Sequence, residues 1–272
     1  METKLIKGLS QIQGKYDVFL IDLWGVVHNG VQLHSGAINV LKNLANLNKR
    51  FVLLSNAPRP SKSVEKYLLN LKMNKVFLKN IFTSGEAALR SLKENVYGKN
   101  FYHIGPKRDK DLIKGFEKNQ TSLEKCDFIL CTGLFENKEE SLDYYKSLLN
   151  KHIKLKMICT NPDLIVHRGS QIEYCAGSIA SIFEELGGKV VYFGKPYSEI
   201  YNYCVEKNET VLVVGDNIHT DIKGANNMNF DSLLVTEGIH KNEFNNLAIN
   251  DYDKILDKYK IKTNYYQEKL TW

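Results

Sequence analysis

Residues 16–30 read YDVFLIDLWGVVHNG, and the fold is decided there. Val18 to Ile21 is an unbroken apolar run; Asp22 follows at once, and Gly25, Asn29 and Gly30 then let the chain reverse. An apolar run of this length, closed by turn residues, suits a strand covered on both faces, and such strands lie in parallel sheets whose crossovers are helices. The pattern returns in FVLLSN at 51–56, FYHIGP at 101–106, DFILCTG at 127–133, LKMICTNPD at 155–163, VVYFGKP at 190–196, TVLVVGDN at 210–217 and DSLLVTEG at 231–238. Segments with apolar residues at helical spacing, such as 36–50, 64–72, 86–95 and 178–188, separate these runs. The expected class is α/β with a parallel sheet.

Ser35 stands where it would cap the helix 36–50, and Ser61 or Ser63 where the helix 64–72 would begin. Further helices are expected over 111–118 and 138–152, and the tail beyond 238 reads as polar and mostly helical. The middle of the chain repeats the βα alternation on its own account. We therefore expect an inserted domain over residues 85–191, within a core built from 1–84 and 192–272.

A chain of 272 residues with 43% hydrophobic content fills a sizeable core without staples. Its five cysteines, Cys126, Cys131, Cys159, Cys175 and Cys204, are odd in number, lack CxxC spacing and sit mostly in apolar runs, so they read as reduced and buried. Neither a zinc spacing nor a GxGxxG fingerprint is present. The first sixteen residues lack a secretory leader's apolar stretch, and no run approaches eighteen apolar residues, so a cytoplasmic protein without a membrane span is expected. The net charge of +6 is scattered along the chain and forms no basic block, which argues against a nucleic-acid partner.

In an open parallel sheet, ligands gather beyond the carboxyl ends of the strands. Asp22 follows FLI, Ser55 follows FVLL, Lys195 follows VVYFG and Asp216 follows VLVVG, with Asp221 one turn further on. Asp22 and Asp216 are hard oxygen donors of the kind Mg²⁺ prefers. Ser55 and nearby backbone N–H groups can hold phosphate oxygens, and Lys195 can balance their charge. The reading is a phosphoryl site.

Those residues carry a resemblance. DLWGVVHNG, LLSNAPRP, YFGKP and VVGDNIHTD, in that order, resemble the four motifs of the haloacid dehalogenase-like superfamily. TSGEAA at 83–88 and CTNPDLIVHRG at 159–169 further resemble its branch with a large cap, which includes nitrophenyl-phosphatase-like and pyridoxal-phosphate-phosphatase-like enzymes. The resemblance implies a Rossmann-like parallel-sheet core with an inserted α/β cap, and a phosphatase acting on a small phosphorylated metabolite. It makes Asp22 the nucleophile and a metal ligand, Ser55 and Asn56 phosphate-binding residues, and Lys195 the charge-neutralising lysine. Mg²⁺ would be held by Asp22, the backbone carbonyl of Trp24 and Asp216, with Asp221 binding through water or orienting Lys195. A homodimer through the cap is also within the branch's range.

Trp24 departs from the pattern. Phosphatases of this family carry a second Asp there, which protonates the leaving alcohol and then activates water. Indole cannot do this, so a contribution of about 10²–10⁴-fold is missing unless another group supplies it. One reading keeps a hydrolase for good leaving groups such as acyl or aryl phosphates, or one with a surrogate base, for which His28 is the nearest candidate. A second makes the protein a binder of phosphorylated metabolites without turnover. A third assigns the nucleophile to a displacement other than phosphate hydrolysis. Trp24 shares the strand face of Asp22, so it is expected beside the site, where it can stack on substrate or shield the aspartyl-phosphate.

In the middle block, Asp163 and Arg168 are candidate substrate contacts, Arg168 as a bidentate partner for a carboxylate or second phosphate, with a turn residue and a solvated edge as the plainer alternatives. His103 and GPKRDK at 105–110 read as a solvated loop. Gly215 is expected to let the chain approach a metal, and Gly224 to permit close helix packing.

Overall fold

The computed structural model describes residues 3–138, 141–168, 171–245, 247 and 251–272. Its strands are β1 Lys4–Leu5, β2 Val18–Asp22, β3 Arg50–Ser55, β4 Ile81–Thr83, β5 Phe101–Ile104, β6 Phe128–Cys131, β7 Lys156–Cys159, β8 Ile165–Arg168, β9 Gln171–Tyr174, β10 Lys189–Tyr192, β11 Val211–Gly215, β12 Asp231–Val235 and β13 Tyr265–Gln267. Seven of them form one sheet in the order β1-β13-β12-β11-β2-β3-β4, and every pairing in it is parallel. A second sheet, β10-β7-β6-β5, is parallel as well, and β8 and β9 make an antiparallel hairpin beside it. The α/β class is as expected.

The central strand explains why its sequence is continuously apolar. Every residue of β2 is buried. Val18 and Leu20 enter one core cluster with Val211, Val213 and Tyr201, while Phe19 and Ile21 enter another with Leu53, Leu212 and Val214. Alternate residues thus serve opposite faces of the sheet, and neither face is left to water. In the helix Ser35–Asn46 the buried residues Ala37, Val40, Leu41 and Leu44 fall three or four apart, which places one stripe against the sheet.

Ser35 does not cap this helix. The Ile38 N–H already donates to the His34 carbonyl at 3.0 Å, so the helix starts one residue early and His34 takes the cap position. Thr83 is the effective cap of the next crossover: its Oγ1 accepts from the Glu86 N–H at 2.9 Å and starts the helix Ser84–Lys93.

Three expectations for other segments fail. The helix expected over 111–118 is replaced by two 3₁₀ turns, Lys107–Ile113 and Glu117–Asn119, because Gly115 at φ +89° breaks the run. His103 is buried within β5, not solvated, and its Nε2 lies 2.9 Å from Thr132 Oγ1. The tail contains the helices Lys241–Phe244 and Tyr252–Lys258, but also β13, whose buried Tyr265 and Tyr266 pair with β1 and β12. Both ends of the chain therefore meet at one edge of the large sheet. All five cysteines are buried and unpaired, and among the described residues no helix is long and apolar enough to cross a membrane.

Candidate active site

β2 ends on Asp22, β3 on Ser55 and β11 on Gly215, immediately before Asp216, so three neighbouring strands deliver their terminal residues to one edge. Lys195 arrives differently. The strand before it, β10, belongs to the second sheet, and the chain returns to the first through Phe193 and Gly194. Gly194 adopts φ +129°, and a Cβ there would lie 2.7 Å from Asn56 Oδ1. Asn56 then fixes the lysine's backbone: its Oδ1 accepts the Lys195 N–H at 2.8 Å, and its Nδ2 donates to the Lys195 carbonyl at 3.0 Å.

The Lys195 ammonium is fully engaged. It donates to Asp22 Oδ1, to Asp221 Oδ1 at 2.6 Å and to the Leu54 carbonyl at 3.1 Å. Asp221 Oδ2 accepts the Asn217 N–H at 3.1 Å, which leaves this carboxylate oriented from both sides. Asp221 therefore holds Lys195 directly.

Carboxylate oxygens of Asp22, Asp216 and Asp221 all lie within 4.8 Å of one another. Three acidic groups then face one ammonium in a buried space. Burial pushes the Asp22 carboxyl well up, Asp221 and Asp216 add to the effect, and Lys195 opposes it. Asp216 is pushed up to about 7, first by burial and then by Asp221, against the Ile239 N–H that it accepts at 2.8 Å. Lys195 is held well above its ordinary value: burial opposes its charge, but Asp22 and Asp221 outweigh that.

The donor set fits a divalent cation. Asp22 Oδ2 is buried and has no hydrogen-bond partner among the described residues. The backbone leaves room around Asp216 only because Gly25 and Gly238 lack side chains; a Cβ on either would fall 2.1 or 2.0 Å from Asp216 Oδ2. Gly215 has a different reason from the expected one, since its Cβ would collide with Asp221 Cγ at 2.1 Å. Gly224 behaves as expected, giving way to the Tyr201 hydroxyl, which a Cβ would approach to 1.9 Å.

These groups open onto a cavity of about 710 Å³ shared by both sheets and the β8–β9 hairpin. Its volume lies within the usual range for a small-molecule site. Ser55 lines it, with Oγ accepting the Ala57 N–H at 3.2 Å. The Asn56 side-chain amide is engaged by Lys195 and by Asp163 Oδ1 at 3.1 Å, so this side chain positions the lysine. Asp163 lies on the cavity wall, where desolvation pushes its carboxyl up to about 6. The side chain of Arg168 lies outside the described residues.

Trp24 is half-buried on the wall of the same cavity and meets the His28 ring edge-on at 5.1 Å. His28 is not on the wall. It is buried beneath Trp24 and Tyr67, its Nδ1 accepts the Gly30 N–H at 3.0 Å, and burial, with His34 adding, pushes its pKa down to about 4. It hydrogen-bonds its own turn. Sequence reasoning missed Arg59 and Asp109, which also line the cavity and approach each other to 3.8 Å. Pro58 and Pro60 hold the loop around Arg59 extended, but nothing in the sequence pattern says which way its side chain faces.

A parallel sheet with an acidic cluster and a lysine at its carboxyl edge, covered by a second α/β layer, defines a class of hydrolase folds. Residues 19–117 match the family of haloacid dehalogenase-like hydrolases, and residues 192–260 a second family of the same kind, described as HAD-hydrolase-like. A solved haloacid dehalogenase-like hydrolase from Brucella suis superposes with a TM-score of 0.85 at 28% identity, over 98% of this chain and 100% of that one. The 5'-nucleotidase YutF of Bacillus subtilis is 26% identical, over 84% of this chain and 90% of its own. The 4-nitrophenylphosphatase of Schizosaccharomyces pombe is 23% identical, over 94% and 92% respectively. The chain belongs to the haloacid dehalogenase-like hydrolases.

Proposed function

We propose that the protein is a Mg²⁺-dependent phosphatase of small phosphorylated compounds, with Asp22 as its nucleophile and the block 85–191 as a cap over the site. The observation that carries this reading is the convergence of Asp22, Asp216 and Asp221 beside Lys195, with one buried oxygen of Asp22 left without a partner. Asp22, Asp216 and the Trp24 carbonyl would hold the cation, which when bound neutralises charge on the phosphoryl group. Asp221 holds Lys195 in place, and the Ser55 hydroxyl takes a phosphoryl oxygen. Relatives whose names specify nucleotide and nitrophenyl phosphate hydrolysis support phosphate monoesters as the substrate class.

The reaction follows from these positions. An Asp22 oxygen bonds to phosphorus as the ester P–O bond breaks, and the leaving oxygen keeps that bond's electron pair. Water then attacks the aspartyl-phosphate, releasing inorganic phosphate and restoring the carboxylate. Trp24 has no acidic proton to give the leaving oxygen, and His28 is buried in its own turn, off the cavity wall. Leaving groups that depart as stable anions, such as nitrophenolate or a carboxylate, are therefore favoured.

The test is phosphate release from p-nitrophenyl phosphate and acetyl phosphate with Mg²⁺. The wild type turns both over, Asp22→Asn loses more than about 10³-fold, and Trp24→Asp extends turnover to alkyl phosphates by about 10²-fold or more. Release by Trp24→Asp alone, with none from the wild type, would make the natural protein a binder of phosphorylated metabolites.

A further inference from the structure

Lys195 is not the only cation on the cavity wall, although Asp109, Asp163, Glu173 and Glu237 line it as well as the Asp22–Asp216–Asp221 cluster. Two arginines, Arg59 and Arg108, line it in addition. Each is held only loosely: Arg59 Nε lies 3.8 Å from Asp109 Oδ1, and Arg108 Nη2 lies 3.8 Å from Glu173 Oε2. Arg50 marks the difference, since its guanidinium lies 2.5 Å from Glu209 and 3.0 and 3.1 Å from the Cys204 carbonyl. Among the described residues, neither Arg59 nor Arg108 has a side-chain hydrogen bond of that kind. Both line the cavity with N–H donors to give.

Arg59 is also held from behind. Its carbonyl accepts the Thr83 hydroxyl at 2.7 Å, and its backbone presses on Gly85 so closely that a Cβ there would lie 2.5 Å from the Arg59 carbonyl carbon. Pro58 and Pro60 restrict the loop on either side. Asp109, which is 4% exposed at its side chain, steers the guanidinium while leaving it 27% exposed. A rigid backbone, a steered side chain and unengaged planar donors are the requirements for bidentate recognition of a carboxylate or phosphate.

We propose that Arg59, with Arg108 at the cavity mouth, forms a second anion subsite, and that the substrate is a small phosphate monoester carrying another acidic group on its leaving portion. The inference rests on the phosphatase reading for the placement of the first phosphate. It moves to Arg59 and Arg108 the recognition that the sequence suggested for Arg168.

Non-hydrolysable phosphonates test it independently of turnover. Calorimetry with Mg²⁺ compares alkylphosphonates of one to four carbons with the matching ω-carboxylates, and with α,ω-bisphosphonates as a second arm that tells a carboxylate from a second phosphate. At one chain length the added anion tightens wild-type binding by about tenfold or more. Arg59→Gln removes most of that gain, Arg59→Lys keeps part of it because the charge remains without the fork, and Arg108→Gln removes a smaller share. Equal affinity within every wild-type pair overturns the inference and leaves the phosphatase reading standing. A gain that survives Arg59→Gln overturns the assignment to Arg59. A gain that is lost in Arg59→Gln, in a protein that hydrolyses no monoester, supports the subsite and removes the phosphatase reading.

Discussion

Lys195 Nζ lies 2.6 Å from Asp221 Oδ1, and the same ammonium donates to Asp22 and to the Leu54 carbonyl, so its three hydrogens are engaged within the protein. It is the cation that makes the three-carboxylate cluster tolerable in a buried space.

Removing that charge should expose the cost of the cluster. Lys195→Met leaves Asp22, Asp216 and Asp221 facing one another without a counter-ion, and breaking a buried pair from one side typically costs about 3–5 kcal/mol. Urea denaturation in chelator is expected to show a loss of this order, and added Mg²⁺ to restore part of it. A loss under about 1 kcal/mol would mean that the carboxylates take up protons at little expense.

The metal effect should depend on pH in a definite direction. Asp22 and Asp216 have folded-state values raised above their unfolded ones, Asp216 to about 7. Stability from such groups is fully present below the unfolded value and is lost as pH rises through the folded one. In chelator the protein therefore loses stability from this site between about pH 4 and 8. His28 and His103, pushed down to about 4 by burial, act the opposite way, since they lose stability as pH falls below their unfolded value. Their contribution is common to both conditions and cancels in the difference with and without Mg²⁺. That difference in Tm should be larger near pH 8 than near pH 5.5; equal increments would argue against a metal site built from these carboxylates.

His28 separates a structural role from a catalytic one. Its Nδ1 bond to the Gly30 N–H and its contacts with Trp24 and Tyr67 hold the turn that carries Trp24. His28→Ala should lower stability by about 1–3 kcal/mol while leaving the shape of the pH profile of kcat/KM unchanged. The loss of one limb of that profile would instead identify a titrating base.

The positions of Asp22, Ser55 and Asp216 are legible in the sequence because each ends or directly follows a strand written as an apolar run. Periodicity names a strand but not the sheet it joins, and for that reason β10 was placed correctly while the route of Lys195 across two sheets was not. The motif carries the identity of Asn56 but not its side-chain partners, since the Lys195 peptide and Asp163 come from distant parts of the chain. Arg59 and Asp109 were hidden for a similar reason. Their orientation depends on Gly85 and on a 3₁₀ turn whose first half, 107–110, reads as a solvated loop, and both are long-range or irregular features.

The glycines around Asp216 allow steric exclusion to be tested apart from backbone strain. Gly25 has both problems, φ +95° and a Cβ position 2.1 Å from Asp216 Oδ2. Gly238 has the collision alone, at 2.0 Å, and Gly187 has the backbone alone, φ +91° with nothing within 4 Å. Alanine at 187 should therefore cost only the left-handed penalty, about 1–2 kcal/mol, and leave metal affinity unchanged. Alanine at 238 should displace the Asp216 carboxylate and weaken Mg²⁺ binding at least about tenfold, a change that calorimetry resolves directly. Alanine at 25 should combine both losses. If Gly238→Ala binds Mg²⁺ as tightly as the wild type, Asp216 is not a ligand, because a displaced carboxylate cannot hold the cation where the intact one did.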